Sequence, residues 1–407
     1  MLQPHRHDDL HLYNSLTRRV EPFVPMRERE VSMYVCGITP YDVGHLGHAL
    51  VAVAFDTLRR WLEFNAYEVR HIQNITDIDD DMVRKSRELG ISIAELTDRN
   101  HAIYLHEMDA LNVQRPEAYP RVSQTIPQII EMVTTLIGGG HAYEVDGYVF
   151  FDVTTAPKFG ALAGLTLDEL LTFKSDSLPA EPVELKHHPL DFLLWQPCTD
   201  EGATFDSPWG PGRPGWHIEC SAMARAALGN RLDIHGGGKD LRYPHHDSEI
   251  VQSECATGES PYVGTWMHNG TVGLAGEKMS KSLGNLVKVS ELIERGHTGN
   301  GIRLLMLSAR YRDDRDFDEV ALNRREEDAR LLERAASSRG GPPDGLRVQS
   351  RRVEFQDAMD DDLDTPRAIE VLLGIARDLE AGTLAGDTGV ATLIELGDVL
   401  GLRLRGE

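Results

Sequence analysis

The stretch MYVCGITPYDVGHLGHALVAVAFDTLRRWLEF, residues 33–64, changes its hydrophobic pattern once, and that change decides the fold. Residues 32–38 (SMYVCGI) are apolar, β-branched and aromatic, and predict a short buried strand. A turn follows at Thr39–Pro40. From Gly47 to Phe64, the apolar residues Leu50, Val53, Ala54, Leu58, Trp61 and Leu62 recur at three- and four-residue steps, the period of an amphipathic helix. A second strand is expected over 68–75. Strand, crossover helix and strand make a βαβ unit, so the fold class is α/β with a Rossmann-like, doubly wound parallel sheet. Ligands in such sheets bind beyond the carboxyl ends of the strands, where Cys36 and the residues after it fall.

Working outward, residues 116–205 read as an α+β insertion, with a helix over 125–137 and a hairpin around 142–153. The core resumes near Gly215 and continues through 232–234 and 262–268. After Arg303 the pattern is helical, a C-terminal bundle broken by the linker SSRGGPPDG at 337–345. Thr365 and Pro366 read as the N-cap and first residue of a further helix. The expected division is 1–115 and 206–270 for two halves of the core, 116–205 for the insertion, 271–320 for a connecting region and 321–407 for the bundle.

The chain has 407 residues, which predicts more than one domain. With 42 basic and 65 acidic residues its net charge is −23, which argues against non-specific nucleic-acid binding over the whole surface but leaves room for a local basic groove. No run of about 18 apolar residues is present, so no membrane span is expected. The first twelve residues carry His, Asp and Arg without an apolar core, which predicts a cytoplasmic protein. The four cysteines, at 36, 198, 220 and 255, form no CxxC pair and default to buried small hydrophobes.

Two short segments carry chemistry. His45-Leu46-Gly47-His48 sits at the strand-to-helix turn, where a helix N-terminus offers unpaired N–H groups to phosphate. Lys278-Met279-Ser280-Lys281-Ser282 places two lysines in a glycine-containing loop, suited to a triphosphate losing pyrophosphate. Alone, each segment also fits a solvated loop.

Together and in this order, HLGH and KMSKS resemble the HIGH and KMSKS signatures of class I aminoacyl-tRNA synthetases. In particular the chain resembles the cysteinyl-tRNA synthetase family, through LYNSLTRRVEPF at 12–23, MYVCGITPYD at 33–42, NITDID at 74–79, PGWHIECSAM at 214–223, LDIHGGGKDL at 232–241 and PHHDSE at 244–249. The resemblance implies an ATP-dependent ligase that forms cysteinyl-adenylate and passes cysteine to tRNA(Cys). It implies a single Zn2+ held by Cys36, Cys220, His245 and Glu249, whose two thiolates, imidazole and carboxylate suit that ion. His245 and Glu249, at i and i+4, would share one helix face. His246 is expected to face away from the ion, and Cys198 and Cys255 to remain in the core. The expected cysteine pocket contains Thr76, Trp216 and His235. ATP, with Mg2+, is expected at His45, Gly47, His48, Gly236, Gly237, Gly238, Asp240 and Lys281, with His45, His48, Lys278 and Lys281 in catalysis.

The resemblance further implies a monomer and a short form lacking the anticodon-binding domain at the C-terminus. Pro40, Leu50 and GEKMSKSLGNLV at 276–287 also resemble the mycothiol-pathway cysteine ligase, whose acceptor is an amino sugar. Glu249, the opening segment and the insertion resemble the synthetase instead, so tRNA(Cys) is the expected acceptor and glucosaminyl-inositol the alternative. A non-catalytic paralogue that binds cysteine or nucleotide would have lost some of these groups, and none is missing.

Overall fold

The computed structural model describes residues 9–173, 181–279, 284–341, 345–384 and 386–405. Lys281, expected at the ATP site, lies outside the described residues, as does the side chain of Lys278.

Four parallel strands form the central sheet: β1 (Glu30–Ile38), β2 (Glu68–Ile75), β3 (Leu232–Gly238) and β4 (Val263–Asn269), in the order β4-β3-β1-β2. Val31, Met33, Tyr34 and Val35 of β1 are all buried, as a strand covered on both faces requires. The crossover from β1 to β2 is helix α1 (Leu46–Phe64), whose Leu46, Leu50, Val53, Leu58, Trp61 and Leu62 are buried. Helix α2 (Trp216–Leu228) precedes β3, and helix α3 (Asp247–Thr257) joins β3 to β4. The predicted strands and crossover helix fall within two residues of these bounds.

The segment expected as an insertion over 116–205 holds helix Ile126–Gly138 and the strands Ala142–Val145, Tyr148–Phe151 and Phe192–Pro197 of an antiparallel sheet whose fourth strand, Gly212–Pro214, lies beyond that expected end. That fourth strand leads directly into α2.

Helices Glu319–Ala336, Gly345–Asp360, Thr365–Glu380 and Gly386–Val399 form the C-terminal bundle. The cap of the third lies one residue earlier than predicted. Asp364 accepts from the Arg367 N–H at 3.2 Å, whereas the Thr365 hydroxyl donates to the Leu307 carbonyl at 2.8 Å. A better-placed carboxylate wins the cap, and the hydroxyl serves a tertiary contact.

The bundle is joined to α1 by a buried ionic node. Arg303, with no solvent exposure, pairs with Asp56 of α1 and donates to the carbonyls of Leu111 (3.0 Å) and Leu400. Arg60, one turn along α1, donates to Asp56 at 2.9 Å and to the Asp398 carbonyl at 3.1 Å. Among the described residues, no helix is long and apolar enough to cross a membrane.

Candidate metal and nucleotide site

Strands β1 and β3 are neighbours, but the chain leaves them toward opposite edges of the sheet, to β2 and to β4. That reversal opens a crevice at their carboxyl ends, where Cys36 and Gly238 lie. Cys36 is presented there by a bulge. The β1–β2 pairing runs Val35 with Gln73 and then Ile38 with Ile75, three steps on one strand against two on the other. The extra residue falls at Cys36–Gly37. Gly37 tolerates no side chain, since a Cβ would sit 1.8 Å from the Asn74 carbonyl oxygen.

Four residues, from β1, α2, α3 and the turn before α3, converge beside the bulge. The sulfurs of Cys36 (β1) and Cys220 (α2) are 3.7 Å apart. Glu249 of α3 places Oε1 at 3.9 Å from the Cys36 sulfur and 3.2 Å from His245 Nε2. One donor atom from each of the four lies within 4.8 Å of every other, a spacing that admits one metal ion. His245 and Glu249 meet as their i, i+4 spacing predicts, but His245 lies in the turn before α3, after extended backbone at Tyr243.

The electrostatics favour a cation. Burial pushes the Cys36 thiol well up, reinforced by Cys220 and Glu249, and burial likewise raises the Glu249 carboxyl against the pull of His235. Burial holds His245 neutral, well below the usual imidazole range. Acidic groups desolvated together, with a neutral imidazole at their side, lack a positive charge, which a divalent ion supplies.

Further histidines surround this cluster. His235 Nε2 approaches Glu249 Oε2 at 2.9 Å, and His217 Nδ1 approaches His245 Nδ1 at 3.1 Å. His246 does not face away: its Nε2 lies 3.2 Å from the Cys36 sulfur, and its Nδ1 lies 2.7 Å from His268 Nε2. Cys36, His235, His246 and Glu249 therefore also fall within 4.8 Å of one another. His246 has right-handed helical dihedrals at the start of α3 and lies three residues before Glu249, whose Oε1 is 3.8 Å from its Nε2, so helical i, i+3 spacing puts the two on one side. Of the remaining cysteines Cys198 is buried, while Cys255 is only half-buried and is not a full core residue.

The two histidines of HLGH cap α1 reciprocally. His45 Nδ1 accepts from the Gly47 N–H at 3.0 Å, and His48 Nδ1 accepts from the His45 N–H at 3.3 Å. An imidazole that accepts at Nδ1 carries its proton on Nε2. Both rings are thereby neutral Nε2–H donors, held 4.2 Å apart between centroids at a helix N-terminus.

A cavity of about 510 Å3 joins the two clusters, with Cys36, Cys220 and His245 on one wall and His45 and His48 on another. Thr76 and Trp216 also line it, and Trp216 stacks on His245 with centroids 4.3 Å apart. A neighbouring cavity of about 220 Å3 is bounded by Gly47, His48, Gly238, Asp240 and Met279. His235 is fully buried beneath Glu249 rather than on a cavity wall. Gly236 and Gly237 lie inside the sheet; a Cβ on Gly236 would meet the Phe55 ring at 1.9 Å. Gln73, Asn74 and Tyr104 line these cavities as well; no pattern of type or spacing marks Gln73 and Tyr104 in the sequence, while Asn74 opens the NITDID segment.

The family model for the class I (C) tRNA synthetase catalytic domain matches residues 22–327, and the DALR domain model matches 354–405. The cysteine–tRNA ligase of Dehalococcoides mccartyi strain 195 is 42% identical over 399 residues, covering 97% of this chain and 86% of that protein. That of Halorhodospira halophila is 44% identical over 400 residues, covering 97% and 85%. Among solved structures, Mycobacterium tuberculosis methionyl-tRNA synthetase with methionyl-adenylate superposes with a TM-score of 0.64 at 17% identity, over 91% of this chain and 89% of that one. Thermus thermophilus arginyl-tRNA synthetase gives 0.61 at 14% identity, over 96% and 84%. These structural likenesses establish the fold.

Proposed function

The chain belongs to the class I cysteinyl-tRNA synthetase family, and from that premise we propose that it joins L-cysteine to tRNA(Cys) at the expense of ATP. In the first step a carboxylate oxygen of cysteine attacks the α-phosphorus of ATP and the bond to pyrophosphate breaks, leaving cysteinyl-adenylate. In the second, a ribose hydroxyl of the tRNA attacks the carbonyl carbon and AMP departs. Neither step needs a side-chain nucleophile, so the protein works by positioning and by stabilising charge.

The observation that carries this reading is the single cavity shared by the Cys36, Cys220, His245 and Glu249 cluster and the His45–His48 donors. Those four residues are assigned to one zinc ion, which when bound accepts the substrate sulfur as a thiolate and so separates cysteine from serine. Thr76 and Trp216 are assigned to the cysteine pocket, and His235 holds the second oxygen of Glu249. His45 and His48 donate to ATP phosphates, Gly47, Gly238 and Asp240 border the nucleotide, and Mg2+ accompanies it. Lys278 and Lys281 are assigned to the charge developing on the leaving pyrophosphate. We assign tRNA contact to the DALR module, within the helical region 321–407, and take the working form to be a monomer.

Cysteine-dependent ATP–pyrophosphate exchange by zinc-loaded protein tests activation; no exchange refutes it. Radiolabelled cysteine and ATP, with tRNA(Cys) in one tube and glucosaminyl-inositol in another, test the acceptor. Label on the tRNA is expected, and label on the sugar alone would replace this assignment.

A further inference from the structure

Asn74 opens the NITDID segment, is 2% exposed, and lies on the wall of the larger cavity. Its two amide atoms serve two different partners. Oδ1 accepts from the Gly37 N–H at 2.9 Å, and Nδ2 donates to the Thr76 hydroxyl oxygen at 3.2 Å. The assignment of oxygen and nitrogen is unambiguous, because a backbone N–H requires an acceptor.

The first bond holds the bulge. Gly37 is the residue at which β1 and β2 lose register, and its N–H has left the regular ladder to reach a side chain. Cys36 precedes it directly, so the direction of the Cys36 sulfur toward Cys220 and Glu249 depends on how Gly37 is held. The close approach of Gly37 to the Asn74 carbonyl clamps the same contact from the backbone side.

The second bond sets polarity. A hydroxyl that accepts from an amide keeps its own proton to give, and among the described residues none accepts the Thr76 proton. Thr76 also borders the cavity and is pinned by its N–H to the Ile38 carbonyl at 3.0 Å. It therefore offers a donor to whatever occupies the space beside Cys36.

We infer that Asn74 is a positioning residue for cysteine selection: it aims the Cys36 sulfur through Gly37 and fixes Thr76 as a hydrogen-bond donor toward an acceptor group on the substrate. This rests on the cysteine-activating reading above. The substrate group facing Thr76 is accordingly a carboxylate or thiolate.

The test compares Asn74→Asp, Asn74→Ala, Thr76→Val and the double variants. Two quantities are measured: KM and kcat for cysteine in ATP–pyrophosphate exchange, and Co2+ binding by its thiolate-to-metal absorption. Asn74→Asp still accepts from Gly37, so its Co2+ spectrum should match the parent. Its second oxygen now takes the Thr76 proton, and KM for cysteine should rise at least about tenfold, the equivalent of one lost hydrogen bond. In the Thr76→Val background the same change should add nothing. Asn74→Ala releases Gly37 as well, and should also weaken Co2+ binding and shift its absorption.

Independent, additive effects of Asn74→Asp and Thr76→Val would overturn the polarity claim. Parent-like Co2+ binding by Asn74→Ala would overturn the aiming claim. If Asn74→Asp does not fold, Thr76→Val alone tests the donor: KM for cysteine should rise about tenfold with a parent-like Co2+ spectrum, and an unchanged KM would overturn the polarity claim. A parent protein without exchange activity would refute the functional reading, while the Co2+ measurement still decides whether Asn74 aims Cys36.

Discussion

The sulfur atoms of Cys36 and Cys220 lie 3.7 Å apart although 184 positions separate the two residues. One sulfur is delivered by a bulged strand end and the other by the helix that follows the insertion. Removing either leaves a buried carboxyl and a neutral imidazole with a single thiol. Cys220→Ala is therefore expected to lose stoichiometric zinc and cysteine activation while remaining folded. Metal analysis by mass spectrometry, with a thermal melt on the same sample, checks it. Retained discrimination of cysteine from serine in that variant would refute the metal assignment.

His45 has two separable duties, the cap and the phosphate donor. Asn is among the best N-cap residues, so His45→Asn should keep the melting temperature of the parent. It removes the Nε2–H, and kcat for pyrophosphate exchange should fall about 100-fold. His45→Ala loses both, and should cost about 1 kcal/mol of stability in addition. An exchange rate in His45→Asn equal to that of the parent would remove the histidine from the phosphate site.

Asp56 is the buried carboxylate shared by Arg60 and Arg303. Asp56→Asn leaves the buried Arg303 guanidinium facing a neutral amide, while Arg60 keeps the Asp398 carboxylate at 3.1 Å, and the change should cost about 3–5 kcal/mol. Arg303→Met leaves Asp56 still paired with Arg60 and should cost less. Urea unfolding of the two variants gives the order; the reverse order would mean that the carbonyl contacts of Arg303, not its charge, hold the bundle to α1.

His71 of β2 is buried, and burial, helped by Arg59, lowers its pKa from 6.5 to about 3. The unfolded chain takes up this proton near pH 6.5 and the folded chain does not. The stabilising contribution is thus complete above about pH 6.5 and declines as pH falls toward 3, by up to a few kcal/mol. Urea midpoints measured from pH 7.5 to 5 should fall less steeply for His71→Leu than for the parent. Parallel slopes would mean that other groups govern acid sensitivity.

The βαβ unit was legible because periodicity is a local property. The switch from an apolar strand to a three-and-four repeat at 33–64 needs no distant partner, and the observed strands and helix lie within two residues of the expected bounds. HLGH and KMSKS were visible as unusual residue types at a turn and in a loop. The four metal-site residues were named only through a family likeness, since nothing local ties Cys36 to Cys220.

What tertiary structure alone decided is orientation. His246 meets Cys36 because the start of α3 sits against the end of β1, and Asn74 reaches both Gly37 and Thr76 because a bulge moves one residue out of register. Which segments bury their apolar faces follows from residue pattern alone, because burial depends on periodicity along the chain. Which polar atoms meet depends on turns, bulges and strand order, and those arise only when separated segments pack against one another.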